Sequence, residues 1–299
     1  MPAAKNFVKS YDIKPANQLG ETFTGEPCDW YNNWISNDKE TDPYWSEGYW
    51  GNLKKEAEQA SVPVLFIGAW FDPFFRTEMD TFRMLPEKIR QQSRFIIGPY
   101  NHQGNPVGAF KHKNANHGGM FMLADTIKWY DHILKGAPYE ERKGVIEAYQ
   151  VHAGKWVEFE GDFKSSRKEK WYLSSSGTLT KDLSKKQGSE RYVFNPKHPM
   201  ETYYGNALKS NNQGFGPQEL KKVGSRDDML SFVSKPETNK RTICGAIEAD
   251  LYVSSDAPAT AFTVTVAEIG KDGKTYNIRD DIKDISWVDE HEVKKYKPG

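Results

Sequence analysis

The sequence predicts an α/β part followed by an all-β part. In its first half, two short apolar strands alternate with two helical segments, an order typical of a parallel sheet with crossover helices. From about residue 144, short segments of alternating polarity follow one another between turn signals, as in a β-sandwich or jelly roll. We therefore divide the 299 residues into ranges 1–58, 59–143 and 144–299.

The first range is rich in aromatic and polar residues, as in CDWYNNWISNDKETDPYWSEGYW. Its irregular pattern predicts only short helices. Four tryptophans in it are predicted to anchor this range by packing on another surface: Trp30, Trp34, Trp45 and Trp50.

The second range opens with an apolar run, residues 62–69, which predicts a strand buried on both faces. Residues 74–90 then show helical spacing, with Phe75, Met79, Phe82 and Leu85 on one face.

A second strand is predicted over residues 94–97, in the segment SRFIIGPYNH. The segment MFMLADTIKWYDHILKG follows as a clear helix, and its final Gly136 is a C-cap signal.

The third range contains six segments that we predict as strands: VIEAYQVHAG, KWVEFE, KWYLSSSG, RYVFNP, AIEADLYVSSD and AFTVTVAEIGKDGKTYNI. Within the last of these, KDGK predicts a hairpin, because an Asp-Gly pair favours a tight turn between two strands.

Composition narrows the classes of partner. The formal net charge is zero, from 41 Lys+Arg and 41 Asp+Glu, which gives no reason to expect nucleic acid or an anionic membrane as partner. No apolar run approaches the roughly 20 residues of a membrane span. The first residues lack the apolar core of a signal peptide, and localisation stays open.

No cofactor or metal is predicted. The two cysteines, Cys28 and Cys244, lack C-x-x-C spacing and are expected to be buried thiols. No histidine pair has the H-E-x-x-H spacing or another spacing typical of metal ligands.

The candidate catalytic residues are Asp72 and His102. Each follows a predicted strand, and the carboxyl ends of parallel strands are where ligands gather in an open α/β sheet. An acid and then a histidine in consecutive loops is the chain order of the last two members of a hydrolase triad. An Asp at a strand end can also be a helix N-cap, and a His in a loop can be a turn residue. His117 is a competing candidate for the base, whereas His132 is predicted to be packed or on the surface.

Several segments, in the same order, resemble the CocE/NonD family of hydrolases, which are related to X-prolyl dipeptidyl aminopeptidases. VPVLFIGAWFDPF resembles the segment that carries the family's triad Asp, and RFIIGPYNHQG the segment with its triad His. The resemblance assigns these roles to Asp72 and His102. DPYWSEGYW, IKWYDHILKG, KWYLSSSGTL and the last predicted hairpin resemble further family segments. Departures are Tyr100, where a Trp is usual, and Ala261, where an acid is usual.

The resemblance implies a fold and a reaction. Residues 1–58 would be the end of a helical cap, 59–143 the C-terminal part of an α/β-hydrolase domain, and 144–299 an incomplete jelly roll. The substrate would be a small acyl ester, an amide or an X-prolyl peptide, cleaved through an acyl-enzyme. The assembly is left open to a homo-oligomer.

The expected nucleophile is missing from this sequence. The family's serine lies in a G-x-S-x-x-G elbow, and neither G-x-S-x-G nor G-x-S-x-x-G occurs in the 299 residues. We therefore expect the chain to be truncated at both ends and to be inactive by itself.

Two alternatives stay open. The chain could be a non-catalytic module whose β part binds carbohydrate or a protein partner through Trp156, Trp171 and Tyr203. It could also be an inactive fragment.

Overall fold

The computed structural model describes residues 13, 15–115, 120–164, 167–183, 188–200, 202, 205–206, 208, 214–221, 226–286 and 296–298. The chain divides into two compact units. The first unit comprises Met1–Gln59, Leu251–Thr263 and Ile282–Gly299. The second comprises Ala60–Asp250 and Val264–Asp281.

The first unit contains short helices, as its sequence predicts. A 3-10 turn at Ala16–Gln18 precedes α1 (Leu19–Thr24), α2 (Asp29–Ser36), α3 (Pro43–Ser46) and α4 (Gly48–Glu58). The tryptophans expected to be surface anchors contact one another here. The ring centroid of Trp34 lies 5.3 Å from that of Trp30, 6.3 Å from Trp45 and 6.2 Å from Trp50.

The second unit is built on a four-stranded sheet of order β1-β2-β3-β4. Its elements are β1 (Leu65–Ala69), α5 (Phe75–Met84), α6 (Glu87–Arg90), β2 (Arg94–Gly98), α7 (Met120–Lys135), β3 (Val145–Gln150) and β4 (Lys155–Glu160). Strands β1, β2 and β3 are parallel, and β4 runs antiparallel to β3. The two predicted strands and the predicted helix ending at Gly136 are therefore present.

The single helix predicted over residues 74–90 is two helices, α5 and α6. The break lies at Leu85 and Pro86. A proline disfavours helical geometry in the residue before it, and Leu85 is extended, with φ −57° and ψ 139°.

Strands β3 and β4 belong to the α/β sheet, although the sequence pattern placed both segments in the all-β part. β3 pairs with β2 from Arg94↔Val145 to Ile97↔Ala148. Alternating polarity marks a strand but does not say which sheet the strand joins. The α/β sheet therefore extends about 17 residues beyond residue 143, to the end of β4 at Glu160.

Beyond β4, the described residues form two separate two-stranded sheets: β5 (Tyr172–Ser174) with β6 (Thr178–Thr180), and β7 (Ala261–Ile269) with β8 (Thr275–Asp284). The predicted Asp-Gly turn joins β7 and β8. Gly273 has φ +76°, and the Gly270 N–H donates to the Lys274 carbonyl at 2.8 Å. The predicted strands RYVFNP and AIEADLYVSSD are described but are not strands.

The core lies between helix α5 and the sheet. Its buried residues are Met79, Phe82, Leu85, Phe95, Ile97, Ile146 and Ala148. The predicted apolar face of residues 75–85 thus supplies three of the seven residues, and β2 and β3 supply the other four. This core fixes α5, and with it the turn that joins β1 to α5.

We expect Phe82→Ala to lower the free energy of unfolding by about 3–5 kcal/mol, because it empties a site in a closely packed core. The Phe82 side chain is fully buried, and its ring packs on Phe66 and Phe95 at 5.5 Å. Phe194→Ala removes the same atoms from a residue that is 47% exposed. That control should change stability by about 0.5 kcal/mol or less in urea denaturation. Equal losses for the two variants would contradict the assigned core.

Candidate active site

Two backbone hydrogen bonds continue the pairing of β1 with β2 past the ends of both strands. Ala69 pairs with Gly98, then the Trp70 N–H donates to the Gly98 carbonyl at 2.9 Å. The Phe71 N–H donates to the Tyr100 carbonyl at 3.2 Å. The chain segments that follow, which carry Asp72 and His102, therefore leave the sheet at the same edge.

The two predicted catalytic residues are in contact. The Nδ1 atom of His102 lies 2.9 Å from the Oδ2 atom of Asp72. The Asp72 side chain is only 10% exposed, whereas the His102 side chain is 42% exposed. The ring of Phe74 packs edge-on against the imidazole, with centroids 5.4 Å apart. A buried carboxylate on Nδ1 fixes the ring so that Nε2 is the nitrogen available for proton transfer.

Asp72 is not the helix N-cap that the sequence left open, because the N-cap of α5 is Phe74, which has no side-chain cap hydrogen bond. Asp72 instead shapes the turn before this helix. Its second oxygen, Oδ1, accepts the N–H of Phe74 at 2.9 Å, an Asx turn. The Phe75 N–H donates to the Asp72 carbonyl at 3.2 Å. One carboxylate oxygen therefore holds the turn and the other contacts His102.

Asn101 shapes the loop that carries His102, and the sequence analysis missed it. Its buried side-chain oxygen accepts the N–H groups of Gln103 and Asn105, both at 3.1 Å. Its own N–H donates to the Asn105 carbonyl at 3.0 Å, and Gly104 has φ +76°. Asn and Gly together are a signal for such a turn, and the segment NHQGN contains both.

Gly98 is required where β2 ends. A Cβ atom at this position would overlap the ring of Tyr100, which is 1% exposed. The chain therefore turns tightly around the Tyr100 ring before it reaches His102. This packing accounts for the Gly98-Pro99-Tyr100 sequence.

Residues far along the chain hold the turn that carries Asp72. The Arg279 Nη1 donates to the Trp70 carbonyl at 3.2 Å, and the Asn206 Nδ2 donates to the Asp72 carbonyl at 3.3 Å. Gly216 packs directly on the ring of Phe71. Burial lowers the pKa of the Arg279 guanidinium. The acid is therefore positioned by its own strand and also by Asn206, 134 positions after Asp72, and Arg279, 209 positions after Trp70.

A third ionisable group, Glu78, is close enough to this pair for the charges of both residues to act on it. It lies on α5, and its Oε2 atom is buried without a hydrogen-bond partner among the described residues. A Cβ atom on Gly68 of β1 would overlap Oε2. Burial, and then the charge of Asp72, raise the pKa of Glu78 to about 7, against a smaller lowering by His102. Nothing in the spacing of the sequence indicated this carboxyl.

The other histidines considered do not join the pair. His117, the competing candidate for the base, lies outside the described residues. His132 is packed, as predicted: its Nδ1 lies 2.8 Å from the Ala137 carbonyl, and its ring stacks on Tyr139 at 5.2 Å.

The described part of the chain offers neither a metal site nor a membrane-spanning helix. It contains no cluster of three or more His, Cys, Asp or Glu residues with the geometry of a metal site. None of its helices is long and apolar enough to cross a membrane. Cys28 is a buried free thiol, and Cys244 is a half-buried one whose pKa is raised by burial.

The aromatic residues of the alternative binding hypothesis are occupied within the chain, where described. Trp156 donates its indole N–H to the Asn114 carbonyl at 2.9 Å and packs on Tyr149. Lys181 and Arg241 both lie over the ring of Trp171. Tyr203 lies outside the described residues.

Comparison with known proteins gives two family matches and one relative. Residues 140–299 match the family model of the X-Pro dipeptidyl-peptidase C-terminal non-catalytic domain. Residues 5–104 match the family model of X-Pro dipeptidyl-peptidase (S15 family), and this range contains both Asp72 and His102. Cocaine esterase from Rhodococcus sp. (strain MB1 Bresler) is 23% identical over 238 residues, which cover 74% of this chain and 41% of the esterase. The chain thus spans less than half the length of that relative.

We expect Asn101→Ala to lower the free energy of unfolding by about 1–2 kcal/mol, because two N–H groups in a part-buried loop lose their acceptor. Asn195→Ala is the matched control, since its exposed side chain accepts one N–H, that of Lys197 at 3.0 Å. Urea denaturation measures both. A loss for Asn101→Ala no larger than that of the control would show that the loop does not depend on this side chain.

Glu78 predicts a loss of stability as the pH rises. Its carboxyl binds a proton more tightly in the folded chain, with a pKa of about 7, than in the unfolded chain, with the ordinary value of 4.5. Between these values the folded state holds more protons, so unfolding becomes easier as the pH increases. The melting temperature should fall from pH 4.5 to pH 7, and Glu78→Gln should reduce that fall.

Glu87→Gln is the control for this pH dependence, because it removes the same charge from an exposed residue of α6. It should leave the pH dependence of the melting temperature unchanged. If Glu78→Gln also leaves it unchanged, Glu78 ionises normally in the folded chain.

Proposed function

Since this chain belongs to the CocE/NonD family of X-Pro dipeptidyl-peptidase-like hydrolases, we propose that it supplies the acid and the base of a serine hydrolase triad. Asp72 is the acid and His102 the base. The observation that carries the proposal is the 2.9 Å contact between His102 Nδ1 and a buried carboxylate oxygen, with the imidazole half-exposed.

The arrangement supports acyl transfer. His102 Nε2 takes the proton of a serine hydroxyl while the hydroxyl oxygen bonds to the substrate carbonyl carbon. The carbonyl electron pair moves onto its oxygen, and when it returns, the bond to the leaving group breaks. The leaving alkoxide or amine takes the proton from Nε2, and water then releases the acyl group by the same steps. Throughout, Asp72 holds the Nδ1–H and stabilises the imidazolium.

The serine must come from a segment outside these 299 residues, because no nucleophile elbow occurs in them. The free edge of β1 supports this, since β1 pairs with β2 on one side only in the described sheet. Further parallel strands could extend the sheet on that edge. By itself, the chain should not hydrolyse esters or amides.

The substrate class follows from the family and the relative. One relative is named for an ester substrate and the matched families for X-Pro peptides. We propose a small acyl ester, an amide or an X-prolyl peptide as substrate. The residues that follow β4 would form a jelly roll in the complete protein, to which the β7–β8 hairpin contributes two strands.

The test is to restore activity by joining the chain to a family segment that carries the serine elbow, for example the preceding part of the Rhodococcus esterase. The joined protein should cleave a p-nitrophenyl ester or an X-Pro-p-nitroanilide, and the comparison of the two identifies the substrate class. Asp72→Asn and His102→Ala should each lower kcat by about 10³–10⁴-fold.

His198→Ala is the control for these variants, because His198 is exposed and lies in a loop. It should leave kcat unchanged. A joined protein that is active, and that stays fully active with Asp72→Asn and His102→Ala, would refute the assigned roles.

A further inference from the structure

Glu78 has no part in the proposed reaction, yet it is a carboxyl group placed beside the catalytic pair. Helix α5 begins three residues after Asp72 and brings Glu78 back over β1, where the missing side chain of Gly68 makes room for Oε2. The ring of Phe95 also lies against Gly68. This oxygen is therefore enclosed by apolar groups and backbone, a setting that favours the neutral acid.

We propose that Glu78 is a positioning residue for the Asp72–His102 pair: an acid with a buried carboxyl oxygen that, while protonated, leaves Asp72 as the single negative charge acting on the imidazole. The proposal rests on the catalytic roles assigned above. It adds to the proposed triad a fourth residue, which acts through Asp72 and His102 and touches no substrate.

The charged groups around Glu78 are few. β1 has no ionisable residue, and in β2 the ionisable residue is Arg94, at the opposite end of the strand from His102. The turn after β1 carries Asp72, and the loop after β2 carries His102. These are the two groups whose charges act on Glu78.

On α5 itself, Arg76 is exposed, and residues two apart on a helix do not face each other. Asp80 and Arg83 are likewise part of an exposed group, in which Arg83 binds Asp162. Asp72 and His102 are therefore the groups to which Glu78 responds.

The coupling has a definite sign. Asp72 opposes ionisation of Glu78, and a protonated His102 favours it. By reciprocity, an ionised Glu78 favours the imidazolium and opposes the charge on Asp72. When Glu78 loses its proton to solvent, the imidazole gains a second negative neighbour and holds its proton more tightly. A base that holds its proton too tightly passes it less readily to the leaving group.

The experiment follows the Glu78 carboxyl directly, in the 299-residue chain, by carbon-detected NMR on protein with ¹³C-labelled glutamate. Glu78→Gln assigns the signal by its disappearance. We expect a titration midpoint near pH 7, well above the ordinary value of 4.5 for a glutamate. Asp72→Asn should move the Glu78 midpoint to lower pH by about 1 pH unit, and His102→Gln should move it to higher pH.

The NMR signal of the His102 imidazole tests the same coupling from the side of the histidine. In the wild-type chain, the chemical shift of the His102 ring proton should respond at the Glu78 midpoint, because the two charges interact. That response should be absent in Glu78→Gln and present in Glu87→Gln. A Glu78 midpoint near 4.5 in the wild-type chain, or a midpoint that ignores both Asp72→Asn and His102→Gln, would overturn the proposal. The first of these outcomes needs only the assigning variant, Glu78→Gln, to fold.

The joined, active protein separates this proposal from the triad assignment. With Glu78→Gln, the acid limb of the kcat/KM profile should move to lower pH while KM stays unchanged, which a merely structural defect would not produce. If His102→Ala leaves the joined protein active, the triad assignment fails, although coupling seen by NMR would still stand. If His102 is essential and Glu78→Gln leaves the pH profile unmoved, the positioning role alone is refuted.

Discussion

The parallel pairing of β1 with β2 is the interaction on which the candidate site depends. Its register aligns Ala69 with Gly98, so the two strands end together. From these ends, three residues lead to Asp72 and four lead to His102, and the two side chains meet at 2.9 Å. A register shifted by one residue would turn every β1 side chain to the other face of the sheet and separate the pair. The core between α5 and the sheet holds this register, because Phe82 packs on both strands at once through Phe66 and Phe95.

The two ends of the sheet differ in whether a buried ionisable group has hydrogen-bond or ion-pair partners. At the amino end, Arg94 is almost fully buried and is paired, with Glu147 at 2.6 Å and the Arg142 carbonyl at 2.6 Å. At the carboxyl end, Glu78 has a buried oxygen with no partner among the described residues. A buried charge is retained where partners compensate its desolvation, whereas a buried acid without partners takes up a proton instead. The unpaired group is the one that lies beside the catalytic pair, where strained or perturbed groups are most often found.

The sequence alone could locate Asp72 and His102, because each follows an apolar strand and the end of such a strand can be predicted from the pattern of residue types. It could not locate Glu78, since one glutamate on an amphipathic helix looks like any other until the glycine opposite it is known. The helix break at Pro86 could have been predicted, because a proline disfavours helical geometry in the residue before it, although the apolar spacing of the helix continues to Leu85. The sheet to which β3 and β4 belong could not be predicted, since polar and apolar residues alternate in the same way in strands of either kind of sheet. Asn206 and Arg279 contact the turn that carries Asp72. These contacts join residues 134 and 209 positions apart along the chain, and no local sequence pattern predicts them.

Those distant contacts also bear on how the chain is made. During synthesis at about 5–20 residues per second, roughly 10–40 s pass between the appearance of Trp70 and that of Arg279. The strands, α5 and the histidine loop can form in that interval from residues already present, but the turn with Asp72 lacks its last two contacts until Asn206 and Arg279 have been made. Assembly of the acid–base pair therefore waits for residues that follow the α/β sheet in the chain. A ribosome that stops before residue 279 would release a chain with a folded sheet and a loosely held acid.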